Sequence, residues 1–473
     1  FIQFSNRYLY LGSFHKKSVL NFFDETRKKY GEVFLLPGGF GKKSLLFTFN
    51  LDDFAKVIRS EGTWPQRRGL ETMRYHREVH RKEDFGDVIG LVSSNNEAWG
   101  KIRSAVNPIL MQPKNARLYL NKMLEVNDEF LQRIREIRDP NSLEMPDNFE
   151  EELNRLTFES VAVVALNRQI GLIRKNRDSG DAKIIFDSLR KFFELTLALD
   201  FFPSIWKYVK TPTFNKQMKN FDTINEIIIK YINEAEKRIE NDALSSKNSD
   251  NEEKSVLEKL LKVDKKVARV MALDLLMAGV DTTSSTLTGI LLAIAKNPDK
   301  QEKLRQELKT ILPQKNSLLT MENMKNLPYL RACIKEGIRM YPIGAGTLRM
   351  CSEDIVVSGY QVPKDQEIVL NHNILINEEK YCPRAKEFIP ERWLRDEKAN
   401  HEPLNPFLYM PFSFGPRSCV GKRIVEMELE ITVARLIRNF YVEFNYPTEN
   451  AFKTILISVP AIPLKFKFSE VEY

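Results

Sequence analysis

The stretch "KKVARVMALDLLMAGVDTTSSTLTGILLAIAKN", residues 265–297, limits the possible folds more than any other part of this chain. It contains no proline, Asp264 stands before it as a helix N-cap, and Pro298 closes it, so it predicts one uninterrupted helix. At 1.5 Å per residue that helix is about 50 Å long, enough to cross a large domain. Its apolar part, 273–295, matches a bilayer in length, but Asp281 and the run "DTTSST" lie at its centre, where a charge is costly in lipid. A buried core helix is the expectation.

Helical patterns dominate the rest. Strand patterns collect at the two ends and near residue 360: residues 31–49 predict a hairpin, 354–370 a second with its turn at Pro363-Lys364-Asp365, and 455–468 a last pair. Residues 241–254 are polar and poor in apolar side chains, as an exposed loop is. With 473 residues, 42% of them hydrophobic, and no Pro/Gly/Ser hinge, residues 1–473 are expected to form one mainly α domain with small β-sheets. Cys333, Cys351, Cys382 and Cys419 are too scattered for a disulfide framework or a zinc site and fit a reducing compartment. The net charge of +8 admits an acidic partner or an anionic membrane surface, but the basic residues are dispersed and nucleic acid is not indicated. From Phe1 onward there is neither a charged leader nor a long apolar run, so a targeting peptide is expected to have been removed or not included.

Three places carry chemistry. Within the long helix, Gly279 costs about 1 kcal/mol against alanine, and Asp281, Thr282 and Thr283 put polar groups on an apolar face. This is either a kinked core helix whose threonines bond back to the preceding turn, or a groove beside a bound group with Asp281 and Thr282 handling protons. Glu336 and Arg339 are three apart on one helical face, and Arg392 in "FIPERW" is able to join them in a charge network. Cys419, in "PFSFGPRSCVGKR", precedes a helical run in which Ile424, Met427, Ile431 and Ala434 recur, so backbone amides would favour a thiolate there. Gly415 and Gly421 let the backbone close around the sulfur, and Arg417 adds positive charge. A buried structural cysteine and a low-pKa nucleophile both remain open on these residues alone.

"FSFGPRSCVG" resembles the haem-binding signature of the cytochrome P450 family, matched at Phe412, Gly415, Arg417, Cys419 and Gly421. "AGVDTT", the Glu336 and Arg339 pair, and "PERW" resemble that family's other three signatures in the same order. "EAWGKIR", with Trp99 and Arg103, is similar to its haem-propionate helix, and Arg349 to a second propionate-binding arginine. "NMKNLPYLRACIKE" and "FGPRSCVGKRIVEMELE" resemble the mitochondrial class, most closely its insect family twelve branch.

The resemblance implies haem b held between the long helix and the cysteine loop, with Cys419 as axial ligand of the iron. It implies proton handling by Asp281 and Thr282, haem carboxylates held by Trp99, Arg103, Arg349 and Arg417, and a structural network of Glu336, Arg339 and Arg392. Arg331, Lys335, Lys422 and Arg423 would form the docking face for an acidic ferredoxin reduced by its NADPH reductase. Ala278, Gly279 and Ile343 would border the substrate, with further walls from 68–92, 197–221, 343–346 and 458–461. The implied activity is a monooxygenase acting on a hydrophobic small molecule, xenobiotic or steroid-like. A haem-thiolate isomerase or dehydratase, and a non-catalytic haem or ligand-binding protein, are the competing readings. The implied place is the matrix side of the inner mitochondrial membrane, with 197–214 touching the bilayer.

Overall fold

The computed structural model describes residues 19–38, 42–67, 70–174, 180–202, 204–244, 254–314, 317–394 and 404–472. The start of the chain, 39–41 of the first expected hairpin, Arg68, Gly69 and Pro203 of the expected walls, and 245–253 of the expected loop lie outside the described residues. The helices that matter here are α1 (Val19–Tyr30), α2 (Leu51–Arg59), α3 (Glu71–Tyr75, continued by a π-helical turn His76–His80), α4 (Asn96–Leu110), α5 (Leu120–Ile137), α6 (Phe149–Leu166), α7 (Asp181–Thr196), α8 (Pro212–Leu244), α9 (Val256–Val263), α10 (Lys265–Ala295), α11 (Pro298–Ile311), α12 (Pro328–Met340) and α13 (Lys422–Asn439). α8 runs to Leu244, so the beginning of the expected loop 241–254 is helical.

α10 is the predicted long helix. The Asp264 carboxylate accepts from the Val267 amide at 2.9 Å and satisfies one of the free donors of its first turn. The helix is buried around almost its whole circumference, because α6, α12 and α13 pack against different sides of it. Such burial explains why it lacks the one-sided apolar stripe of a surface helix.

The strands form one four-stranded sheet, β1 (Val33–Leu36), β2 (Leu45–Thr48), β6 (Glu367–Leu370) and β3 (Thr347–Met350), in that order, with β2 and β6 parallel and the other pairs antiparallel. Two strand expectations are corrected. The second hairpin is β4 (Ile355–Val357) with β5 (Tyr360–Val362), and it turns at Ser358-Gly359 rather than at 363–365. Ser358 and Gly359 have φ of +48 and +85, the left-handed pair that a tight hairpin uses, and the buried Asp53 of α2 holds the Ser358 amide at 3.1 Å. At the C-terminus, β8 (Phe452–Thr454) pairs with β9 (Ser458–Pro460), whereas β10 (Lys467–Glu470) pairs with β7 (Phe440–Glu443), which directly follows α13. A second, smaller core lies under the four-stranded sheet, around Phe47, Phe54 and Ile368.

Candidate active site

The loop before α13 is shaped by Ser413 and Gly415, with φ of +61 and +78, and is closed by the Cys419 amide donating to the Phe412 carbonyl at 2.9 Å. These bonds present the Cys419 sulfur to a cavity of about 730 Å³. Gly421 is the N-cap of α13; a Cβ there would lie 3.9 Å from the sulfur, and the amides of Gly421 and Lys422 bond to it. Burial raises the thiol pKa, opposed by those amides and by Arg103 and Arg67. The helix start alone therefore does not make the thiolate that the sequence suggested: desolvation outweighs it, and an anionic sulfur here calls for a cationic partner such as iron.

On the same wall, Arg67, Arg103, Arg349 and Arg417 converge, with the Glu61 carboxylate among them. Arg349, on β3, is ion-paired to Glu61 at 2.5 Å and donates to Ser413 Oγ at 2.7 Å and the Phe414 carbonyl at 2.9 Å, which ties the sheet to the cysteine loop. Burial, then repulsion from Arg67, brings the Arg417 guanidinium down to about 9, with Glu61 opposing. Arg103 Nε is buried and has no hydrogen-bond partner among the described residues. Four guanidinium groups against one carboxylate leave an excess of buried positive charge, which suits a group carrying carboxylates, as haem does. Arg417 itself is largely committed elsewhere. It donates to the Pro65, Leu91 and Ser94 carbonyls and to Asn95 Oδ1, at 2.9 to 3.3 Å, and lies over the Trp99 ring at 4.1 Å. Its first role is to clamp the cysteine loop to residues 65–95. Arg67 and Glu61 escaped the sequence reading because no motif or spacing marks either of them.

Across the cavity, α10 presents Ala278, Thr282, Thr283 and Thr286. Thr282 Oγ1 donates to the Ala278 carbonyl at 2.6 Å, the back-bond that the bland reading anticipated, yet the side chain lines the cavity. Asp281, one residue earlier, points away from it, is buried, and has its Oδ1 3.7 Å from Arg190 of α7, which also pairs with Glu150 of α6. Burial pushes its carboxyl up to about 7, against the pull of Arg190. Gly279 is corrected too. It does not line the cavity; a Cβ there would meet Val161 of α6 at 2.9 Å, so glycine serves close helix packing.

Ile343 lines the cavity as expected, with Leu91, Val92, Leu197 and Phe201. The C-terminal wall is Thr454, Leu456 and Ile457 instead of 458–461, because Ser458–Pro460 is paired as β9 and packs against α10. Phe22, Phe23 and Phe47, from α1 and β2, were missed; nothing in their own sequence sets them apart from core positions.

Glu336 and Arg339, both fully buried, are joined by bonds of 2.9 and 3.0 Å, and Arg392 Nε meets Glu336 Oε1 at 2.9 Å. Trp393 Nε1 donates to Glu336 Oε2 at 2.8 Å, a fourth member that the sequence reading passed over. On the opposite side of the cysteine loop, Arg331, Lys335, Lys422 and Arg423 border one surface groove together with Arg117 and Lys325. Two carboxylates interrupt it: Arg331 is paired to Glu430 at 2.8 Å, and Arg423 to Glu426 at 3.3 Å.

The family comparison matches "Cytochrome P450" over residues 6–468. The chain is 56% identical over 459 residues to "Cytochrome P450 CYP12A2" of Musca domestica, covering 94% of this chain and 85% of that protein. It is 48% identical over 465 residues to "Probable cytochrome P450 12d1 proximal, mitochondrial" of Drosophila melanogaster, covering 98% and 88%. With "Probable cytochrome P450 12a5, mitochondrial" of the same fly it shares 50% over 468 residues, covering 97% and 87%.

Proposed function

The chain belongs to the cytochrome P450 family, as a haem-containing monooxygenase, and on that premise we propose that it oxidises a hydrophobic small molecule, xenobiotic or steroid-like, with electrons from NADPH delivered through a ferredoxin reductase and an acidic ferredoxin. The observation that carries the substrate class is the cavity itself. It runs from the Cys419 sulfur past Ala278 and Ile343 to Phe201, Phe202 and Phe23, and so offers an apolar ligand burial along most of its length.

When bound, the haem supplies the oxygen-activating centre, made electron-rich by thiolate ligation as is general for this family. The chain's own residues do the rest. Cys419 would ligate the iron through its sulfur, and Arg103, with Arg349 and Arg67, would receive the haem carboxylates; Trp99 is held beside them under Arg417. Thr282 Oγ1 positions a water in the cavity, and Asp281 exchanges protons with that water when its side chain turns from the Arg190 and Glu150 side toward the cavity.

Two outcomes test this relay. Thr282→Ala is expected to keep NADPH consumption while lowering product per NADPH several-fold; unchanged coupling removes Thr282 from the mechanism. For Asp281 the pH dependence of coupling should show a limb centred near 7, absent in Asp281→Asn. The same group also affects stability. Its folded value of about 7 lies above the ordinary 3.8, so the native state holds the extra proton between those values, and this contribution is present at low pH and lost as pH rises through 7. A coupling profile that is flat from pH 6 to 8, about one unit either side of that value, is incompatible with the role.

The groove bearing Lys335, Lys422 and Arg423 supports the ferredoxin route by its charge. Doubly reversed charge, Lys422→Glu with Arg423→Glu, is expected to slow reduction by ferredoxin at least about tenfold at low salt and much less at high salt, because screening shortens the steering range. Equal rates at all ionic strengths would sink the assignment. Exposed Ile205, Tyr208 and Val209, in the short connection before α8, support peripheral contact with a bilayer, placed by this reading on the matrix side of the inner mitochondrial membrane.

A further inference from the structure

Beside the cavity, where α3 follows the wall residue Leu70 and packs against α8, is a cluster that the oxidation chemistry does not use. After α3 the backbone makes the π-helical turn His76–His80, closed by the Arg81 amide on the His76 carbonyl at 2.7 Å. This wider turn sets His76 and His80 one above the other, with ring centroids 5.4 Å apart. Both Nε2 atoms face Asp222 of α8: His76 lies 3.0 Å from Oδ1 and His80 3.3 Å from Oδ2.

We propose that His76, His80 and Asp222 form a divalent transition-metal site, for Zn²⁺ by its ligand set, that clamps the α3 segment to α8 beside the cavity wall. Two imidazoles and a carboxylate are the donors of three-ligand zinc sites, and a histidine pair four residues apart on one helical face is a known way to present two of them. Zn–N distances of about 2.0 Å in tetrahedral geometry put neighbouring donor atoms about 3.3 Å apart. The His–Asp separations are already close to that, and all the donor atoms lie within 4.8 Å of one another. Hard cations such as Mg²⁺ prefer all-oxygen sites, so the imidazoles select against them.

Arg81 Nε donates to Asp222 Oδ1 at 2.8 Å, a contact that orients the carboxylate as outer partners of metal ligands do, although its charge also competes with the cation. Glu226 and Asp84 offset part of that charge. His80 is 39% exposed, which gives the ion an entry path and water for its remaining position.

The clamp would act on ligand exchange, because α3 follows Leu70 of the cavity wall and is bonded through Thr72 to Asp200, in the turn that carries Phe201. Equilibrium dialysis of the haem-loaded protein against ZnCl₂ tests the site, with His80→Ala as the main variant because His80 is exposed and its loss leaves the core intact. One Zn²⁺ per chain is expected, undisturbed by excess Mg²⁺, with affinity lowered at least tenfold in His80→Ala and again in Asp222→Asn. Stopped-flow mixing with an apolar ligand should show Zn²⁺ slowing association and dissociation in the unmodified protein only. Absence of stoichiometric uptake, uptake unaffected by His80→Ala, or uptake that leaves exchange rates unchanged each overturns the proposal. The dialysis does not depend on oxygenase activity, so its result stands apart from that of the functional reading.

Discussion

Glu336→Gln is expected to cost about 3–5 kcal/mol, the penalty for leaving a buried charge without its partner. The carboxylate accepts from Arg339 twice, from Arg392, from the Trp393 indole and from the Ile389 amide, all within 2.8 to 3.0 Å. Glutamine keeps one acceptor and turns two N–H donors toward guanidinium and indole donors, and Arg339 is left fully buried with an uncompensated charge. Against a typical stability of about 5–15 kcal/mol, that loss is enough to unfold much of the protein at growth temperature. The segment holding Pro390–Trp393 should detach from α12 first. Urea unfolding followed by tryptophan fluorescence, together with the ratio of haem to protein, measures the effect. Arg392→Lys is the graded control: it keeps the charge but loses bonds to the Pro383 and Arg384 carbonyls, and a penalty of about 1–2 kcal/mol is expected. A Glu336→Gln protein with unchanged urea midpoint and haem content would show that the network is decorative.

Cys419→Ser is expected to abolish turnover while leaving the fold standing. The side chain faces the cavity rather than the core, and serine keeps its size, so little packing is lost. The amides of Gly421 and Lys422 donate to a hydroxyl oxygen as readily as to a sulfur. What changes is the ligand's electron donation, on which oxygen activation rests. The ferrous carbon monoxide spectrum should lose the red-shifted Soret band of thiolate ligation, whereas the far-ultraviolet circular dichroism and the urea midpoint remain within about 1 kcal/mol of the parent. Retention of that band in the serine protein would remove Cys419 from the iron.

Several parts of the site were legible because their chemistry recurs at fixed spacing. Glu336 and Arg339 fall on one helical face by their separation alone, and the glycines around Cys419 mark a loop that closes on something. The N-cap at Asp264 and the stop at Pro298 gave α10 its length almost to the residue. Where a choice depended on a neighbour, spacing gave no guidance. Asp281 adjoins Thr282 and Gly279 lies three residues before it, yet a turn of about 100° per residue sends them to Arg190 and to Val161 respectively, and only the positions of α6 and α7 say which side is the cavity. The turn at Ser358-Gly359 was overlooked in favour of a proline turn five residues on, because the Asp53 contact that fixes it comes from a distant helix.

The sequence by itself determined the mainly helical fold, the long buried helix, the loop that presents Cys419 and the Glu336–Arg339 pair, since each depends on local periodicity, capping or short-range pairing. Only the tertiary structure decided that Glu61 sits among four arginines, that Arg417 is spent largely on backbone carbonyls, and that His76, His80 and Asp222 meet between the α3 segment and α8. The physical reason is the same in each case. These are contacts between residues far apart in the chain, and their energies come from desolvation and charge at short range, quantities set by packing and carried by no spacing in the chain.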